Sequence, residues 1–170
     1  MKALVVYESM WGNTRKVAEA IGEGLPGCRV AEVHEVSGSD LEGIDLLVVG
    51  GPTHAFSMSR ESTRHAAVDQ GAAAAADDRG IREFLAELPA RLAVPVATFD
   101  TRSTKVRNLP GSAAKGAAKD VRRHHHTRVV DRHSFYVEDT DGPLAEGELE
   151  RAVSWGAHLA ESVSPAAHRA

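Results

Sequence analysis

Short apolar runs and helix-periodic stretches alternate along the whole chain, and that alternation limits the fold more than any other feature. Ala3 to Tyr7 is apolar, β-branched and aromatic in its second half, which predicts a buried strand. A polar, glycine-bearing stretch, Glu8 to Thr14, follows it. Val17, Ala18, Ile21 and Leu25 then recur at helical spacing, predicting a helix over 14–24 ended by Gly24 and Pro26. Further strands are expected over Cys28 to Val36, Ile44 to Val49 with a stop at Gly50-Gly51-Pro52, and Val94 to Phe99. A fifth, interrupted strand is expected through Val129-Val130 and Phe135-Tyr136-Val137. Helices are expected on the face made by Ile81, Phe84, Leu85 and Leu88, and from a Ser112 cap to Arg123. Leu149, Val153 and Leu159 mark a final helix, with Ala152, Gly156 and Ala160 at close-packing positions. Residues 59–80 fit either a helix or a mobile cover.

Alternating strands and helices predict an α/β fold, a doubly wound five-stranded parallel sheet of order 2-1-3-4-5 with helices on both faces. Such sheets bind ligands beyond the carboxyl ends of their strands. The loops to search are therefore 8–14, 50–58, 99–111 and 131–143. With 170 residues the chain is expected to be a single domain over 1–170.

The formal net charge of −4 gives no sign of a nucleic-acid partner, but the charge is unevenly distributed. Residues 1–99 carry 9 basic and 14 acidic side chains, residues 100–136 carry 9 basic and 3 acidic, and residues 138–150 hold six acids and no Lys or Arg. Such blocks read as solvated faces or as a docking surface. A single cysteine, Cys28, excludes an intrachain disulfide and an all-cysteine metal cluster. The longest strongly apolar run, Leu46 to Val49, falls far short of the ~20 residues that span a bilayer. No signal-peptide pattern is visible at the N-terminus, so a cytoplasmic location and no membrane partner are expected.

Gly22-Glu23-Gly24-Leu25-Pro26-Gly27 spells G-x-G-x-x-G, but it closes a helix instead of following a strand, so it reads as a helix stop. His124-His125-His126 lies among arginines and reads as a solvated basic run, and no metal site is expected. Zinc-hydrolase, dithiol and serine-hydrolase signatures do not occur.

Ser9-Met10-Trp11-Gly12-Asn13-Thr14 leaves the first strand and enters the first helix. A helix N-terminus offers unpaired N–H groups and partial positive charge. Ser9, Asn13 and Thr14 surround the same small volume with polar side chains, and Gly12 permits close backbone approach. By local chemistry alone this is either a phosphate cradle without a lysine or a polar turn with a capping residue.

Tyr7 to Thr14 resembles the FMN phosphate loop of the flavodoxin family. Gly50-Gly51-Pro52-Thr53-His54 resembles that family's second flavin loop. Phe135-Tyr136-Val137, Gly142-Pro143-Leu144 and the helix from Glu148 are similar to a flavodoxin C-terminal end. The resemblance implies a flavodoxin-like fold holding one non-covalent FMN and transferring electrons between redox protein partners, a reductase and an acceptor. It departs from the family in two places. Trp11 stands where many flavodoxins carry a hydroxyl, and the third loop, Phe99-Asp100-Thr101-Arg102, lacks the usual glycine- and tyrosine-rich pattern. The cofactor-binding residues implied are Ser9, Met10, Trp11, Gly12, Asn13, Thr14, Pro52, Thr53, His54, Phe56, Phe99, Asp100, Thr101 and Arg102. Trp11, His54, Phe56, Phe99 and Tyr136 are the candidates for the flavin faces. Asp100 and Arg102 would push the flavin potential in opposite directions. No side chain is assigned a catalytic role. Two other readings stay open: an NAD(P)H-dependent quinone or flavin reductase on the same fold, and a regulatory module without flavin. Arg102, Lys105 and Arg107 make the third loop basic, which points to a partner with an acidic docking face.

Overall fold

The computed structural model describes residues 1–73 and 79–163. β1 (Ala3–Tyr7), α1 (Asn13–Gly24), β2 (Cys28–Glu32) and β3 (Leu46–His54) make the first half of a sheet and its first crossover. β4 (Ser57–Met58), α2 (Glu61–Asp69) and α3 (Ile81–Glu87) follow, then β5 (Val96–Ser103), α4 (Ala113–His124), β6 (Val129–Val137) and α5 (Glu148–Val163). The parallel strands lie in the order β2-β1-β3-β5-β6, and β4 pairs antiparallel with the end of β3. With that short strand set aside, the order is the expected 2-1-3-4-5.

Every residue of β1 is buried, and its side chains alternate between two cores because strand periodicity is two. Ala3, Val5 and Tyr7 meet α1 and α5, together with Leu46 and Val48 of β3. Leu4 and Val6 face the opposite layer, with Leu47, Val49, α3 and α4. A central strand buried on both faces has no polar alternation, which is why the apolar run was legible.

The strands differ from expectation mainly in where they end. β3 continues through Gly50-Gly51-Pro52 to His54, in register with Phe99, Asp100 and Thr101 of β5. Gly50 is no strand stop: a Cβ there would lie 2.1 Å from the Phe99 ring. The missing side chain makes room for a neighbour and does not mark a turn. β5 runs on to Ser103, past the Phe99 end that was expected, and β6 is continuous through His133, with a register shift opposite Val96/Ala97. β2 is shorter than expected and ends at Glu32, where a single 3-10 turn, Val33–Glu35, takes over. Leu149 is exposed, and α5 buries Glu148, Ala152, Trp155, Gly156 and Leu159 instead. Of residues 59–80, α2 is helical; its Ala67, together with Ala72 beyond the helix end, packs against Met10 of the first loop. The rest of the alanine run, 74–76, lies outside the described residues.

No helix of the described residues is long and apolar enough to cross a membrane.

Candidate functional site

A cleft opens beyond the carboxyl ends of β1, β3 and β5. Met10, Trp11, Asn13 and Thr14 form one end of it; Pro52 to Phe56 form one side; Thr101, Arg102, Ser103 and Val106 form the other.

The first end is made by consecutive residues. Gly12 adopts φ +87°, a left-handed conformation that side chains disfavour, and open space surrounds the position a Cβ would take. The turn lets α1 begin at Asn13. The Ser9 Oγ accepts from the N–H groups of Gly12 at 3.1 Å and Arg15 at 3.3 Å, and Lys16 N–H closes on the Gly12 carbonyl at 3.1 Å. The amides of Asn13 and Thr14 come before the helical ladder, and among the described residues they meet no acceptor. Two orphan donors at the positive end of a twelve-residue helix suit an anion. The Thr14 and Thr101 hydroxyls are 2.7 Å apart, which ties this end to β5. Asn13 Nδ2 donates to the Asp141 carbonyl at 2.9 Å and fixes the 139–142 turn, whose Thr140 reaches the cleft.

Beneath the loop lies a buried polar cluster that sequence reasoning missed. The Glu8 Oε2 accepts from Ile81 N–H at 3.0 Å, and Ser59 also hydrogen-bonds to that carboxyl. Arg64 Nη1 donates to Ser59 Oγ at 2.9 Å and lies 3.2 Å from Glu83 Oε2. Burial pushes the Glu8 carboxyl up despite these bonds and the Arg64 charge. The cluster clamps α2 and α3 to the strand that feeds the loop. Its one sequence signal is a glutamate directly after a buried strand.

The second side is a strained hairpin. Ala55 and Phe56 both have positive φ, 45° and 63°, between His54 and Ser57, which pair across β3 and β4. A two-residue turn of this hand normally takes Asn or Gly. Here it holds Phe56 outward, 49% exposed, at the rim of the cleft. His54 is half-buried on the same wall, and burial, with the Arg64 charge, holds its imidazole below the usual range, so it stays neutral.

The third loop departs most from expectation. Phe99 is fully buried in the α1/α5 core, its ring edge-on to Phe135 and Trp155 at 6.3 Å each, and it takes no part in the cleft. A face-to-edge aromatic cluster in the core outcompetes the loop position because β5 continues beyond it. Asp100 is also fully buried, and its Oδ2 accepts from Ala114 N–H at 2.9 Å. It acts on the first turn of α4 instead of lining the cleft. Thr53 Oγ1 accepts from Ala113 N–H at 2.9 Å, and Ser112 Oγ from Lys115 N–H at 3.2 Å. Arg102 is buried and lines the cleft; its Nη2 donates to the Val106 and Leu109 carbonyls. It therefore contributes nothing to an outward basic surface. Of the loop's other cations, Lys105 pairs with Asp139 at 2.9 Å, and Arg107 lies 4.2 Å over the Tyr136 ring.

The cleft thus gathers Met10, Trp11, Asn13, Thr14, Pro52, Thr53, His54, Phe56, Thr101 and Arg102 of the expected residues. Ser9 and Gly12 shape it from behind, while Phe99 and Asp100 lie elsewhere. Ala55, Ser103, Val106, Val137 and Thr140 line it unforeseen, because strand extension and a hairpin turn bring them there.

Residues 5–79 match the family model described as flavodoxin. A flavodoxin of Aquifex aeolicus (strain VF5) is 41% identical over 58 residues, covering 31% of this chain and 31% of the relative. The matched segment thus spans about a third of that protein's length. A solved flavodoxin from the domain Archaea superposes with TM-score 0.63 at 24% identity, covering 96% of this chain and 99% of the other. Flavodoxin 1 from Bacillus cereus gives 0.61 at 15% identity, covering 96% and 100%. These structural likenesses concern the fold.

Proposed function

We propose, for a chain whose residues 5–79 match the flavodoxin family model and whose described residues share the fold of solved flavodoxins, that it binds one FMN and carries electrons between redox proteins. The observation that carries this reading is the pair of orphan amides at Asn13 and Thr14, next to a left-handed Gly12 with open space around it. A dianionic phosphate suits that position, because it accepts from several amides at once at the positive end of α1.

The other residues fit the remainder of such a cofactor. Thr14, Thr53 and Thr101 bring hydroxyls to the cleft for the ribityl chain, and Trp11, His54 and Phe56 supply flat groups for the ring. FMN supplies the electron-accepting chemistry when bound. The protein's part is to orient it, limit water around it and set its potential. His54, neutral because of burial, offers a hydrogen bond at that wall without adding charge. The chain works in this reading as one flavodoxin-like domain, with no acid or base of its own.

Partners are proposed to dock where the cleft opens, around the exposed Phe56, with an acidic face toward Lys105 and Arg107. Steered association of that kind weakens with salt, since the Debye length is about 10 Å at 0.1 M.

Stopped-flow reduction of the FMN-loaded protein tests the carrier role. NADH or NADPH alone should bleach the flavin slowly, and a flavoprotein reductase should accelerate it severalfold. Rapid bleaching by NADPH alone with turnover on a quinone would make the protein a reductase.

A further inference from the structure

We propose that Arg102 sets the redox poise of this site: it is a buried cation on the cleft wall that favours the reduced, anionic form of bound FMN. This deepens the FMN reading and rests on it. β5 carries opposite charges at Asp100 and Arg102, on the same strand face because they are two residues apart. The structure separates their roles. The Asp100 carboxylate is withdrawn from the cleft: its Oδ2 accepts from the first turn of α4, and its Oδ1 is buried without a partner among the described residues. Arg102 lines the cleft, and its hydrogen-bond partners are two neutral carbonyls, of Val106 and Leu109. Among the described residues no carboxylate forms an ion pair with it, and its Nε is buried without a partner. The nearby rim acid, Asp139, is engaged by Lys105.

A charge held out of water, with only neutral hydrogen-bond partners, acts strongly on its surroundings. Phosphate bound at Asn13 and Thr14 would fix one end of the cofactor. Thr101 meets Thr14 at that end, and Arg102, Ser103 and Val106 line the same cleft, so the guanidinium faces the space a bound flavin would fill. When an external reductant gives FMN two electrons and solvent gives it one proton, the ring gains one negative charge. The guanidinium stabilises that charge and not the neutral oxidised ring, so it binds the reduced form preferentially. The Val106 and Leu109 bonds also hold the 104–109 loop, so charge must be distinguished from scaffolding.

The test is a spectroelectrochemical titration of the FMN-loaded protein, with FMN dissociation constants measured beside it, for the wild type, Arg102→Lys and Arg102→Gln. Arg102→Gln should weaken binding of reduced FMN relative to oxidised FMN about tenfold, moving the two-electron midpoint about 30 mV more negative. Arg102→Lys should keep the wild-type midpoint even if it binds FMN less tightly. Equal midpoints in all three proteins, with affinity lowered in both variants, would reduce Arg102 to a loop support and overturn the proposal. Should Arg102→Gln fail to hold FMN, the wild type carries the test by itself. Its midpoint should fall about 30 mV per pH unit between pH 6 and 8, one proton per two electrons. A slope of about 59 mV, two protons per two electrons, means a neutral reduced ring and overturns the proposal. A wild type that binds no FMN at all would instead defeat the function proposed above.

Discussion

The helices α1, after β1, and α4, after β5, both begin at the carboxyl edge of the sheet, and their first turns are finished in opposite ways. In α4 three consecutive amides are all met by side chains: Ala113 by Thr53, Ala114 by Asp100 and Lys115 by Ser112. In α1 the Ser9 hydroxyl takes Gly12 and Arg15, and the amides of Asn13 and Thr14 are left to whatever enters the cleft. Helix geometry gives both ends the same orphan donors and the same partial charge. What differs is whether the protein supplies the acceptor. The α4 end, closed by a carboxylate, repels an anion; the α1 end, closed by none, invites one. A strand-to-helix junction in this fold is thus a scaffold element or a ligand site according to its caps.

The contrast predicts where damage falls. Phe99 belongs to the β5–α4 side and to the core, so Phe99→Ala should cost about 3–5 kcal/mol in urea unfolding of the flavin-free protein. On the α1 side, Thr14→Ala keeps the amide but removes a hydroxyl from the cleft, so it should weaken FMN by about 0.5–1.5 kcal/mol, the net range for one hydrogen bond, and lower stability by a similar amount because Thr101 loses its buried partner. Asp100→Asn should lower stability alone, by about 0.5–2 kcal/mol, with FMN affinity retained. Thr14→Ala and Asp100→Asn variants with indistinguishable profiles in the two assays would break the comparison.

The smallest expected effect is a pH dependence on the hairpin side. His54 titrates below its usual range in the folded chain, because burial and Arg64 disfavour its charge. Unfolded chains therefore bind its proton first as pH drops below about 6.5. Its contribution to stability is complete above that pH and declines below it. Thermal melts between pH 8 and 5 should show a shallower decline for His54→Gln than for the wild type; parallel curves would remove His54 from the account.

How much of this was legible in the sequence follows the same division. The first loop is written in six consecutive residues, and Ser9, Gly12, Asn13 and Thr14 lie where local rules put them. The β5 side is written in long-range contacts. Gly50 looked like a stop because nothing in its own neighbourhood shows the Phe99 ring lying over it. With β3 and β5 thereby extended, Asp100 moved from a loop into a strand, and Arg102, expected both at the flavin and on an outward basic surface, lines the cleft alone. The hairpin at Ala55-Phe56 carried no Asn-Gly signal, so β4 was invisible until the strand pairing showed it. Glu8 was visible only as the first polar residue after a strand; its partners come from residues 59 to 83.

The most direct test of the open α1 end is a fluorescence titration of the flavin-free protein with FMN and with riboflavin, which share the ring and ribityl chain and differ in the phosphate. If Asn13 and Thr14 present their amides to that phosphate, FMN should bind at least about tenfold more tightly, since one hydrogen bond to a charged group contributes about 1.5 kcal/mol or more. Equal affinities for the two flavins would contradict it.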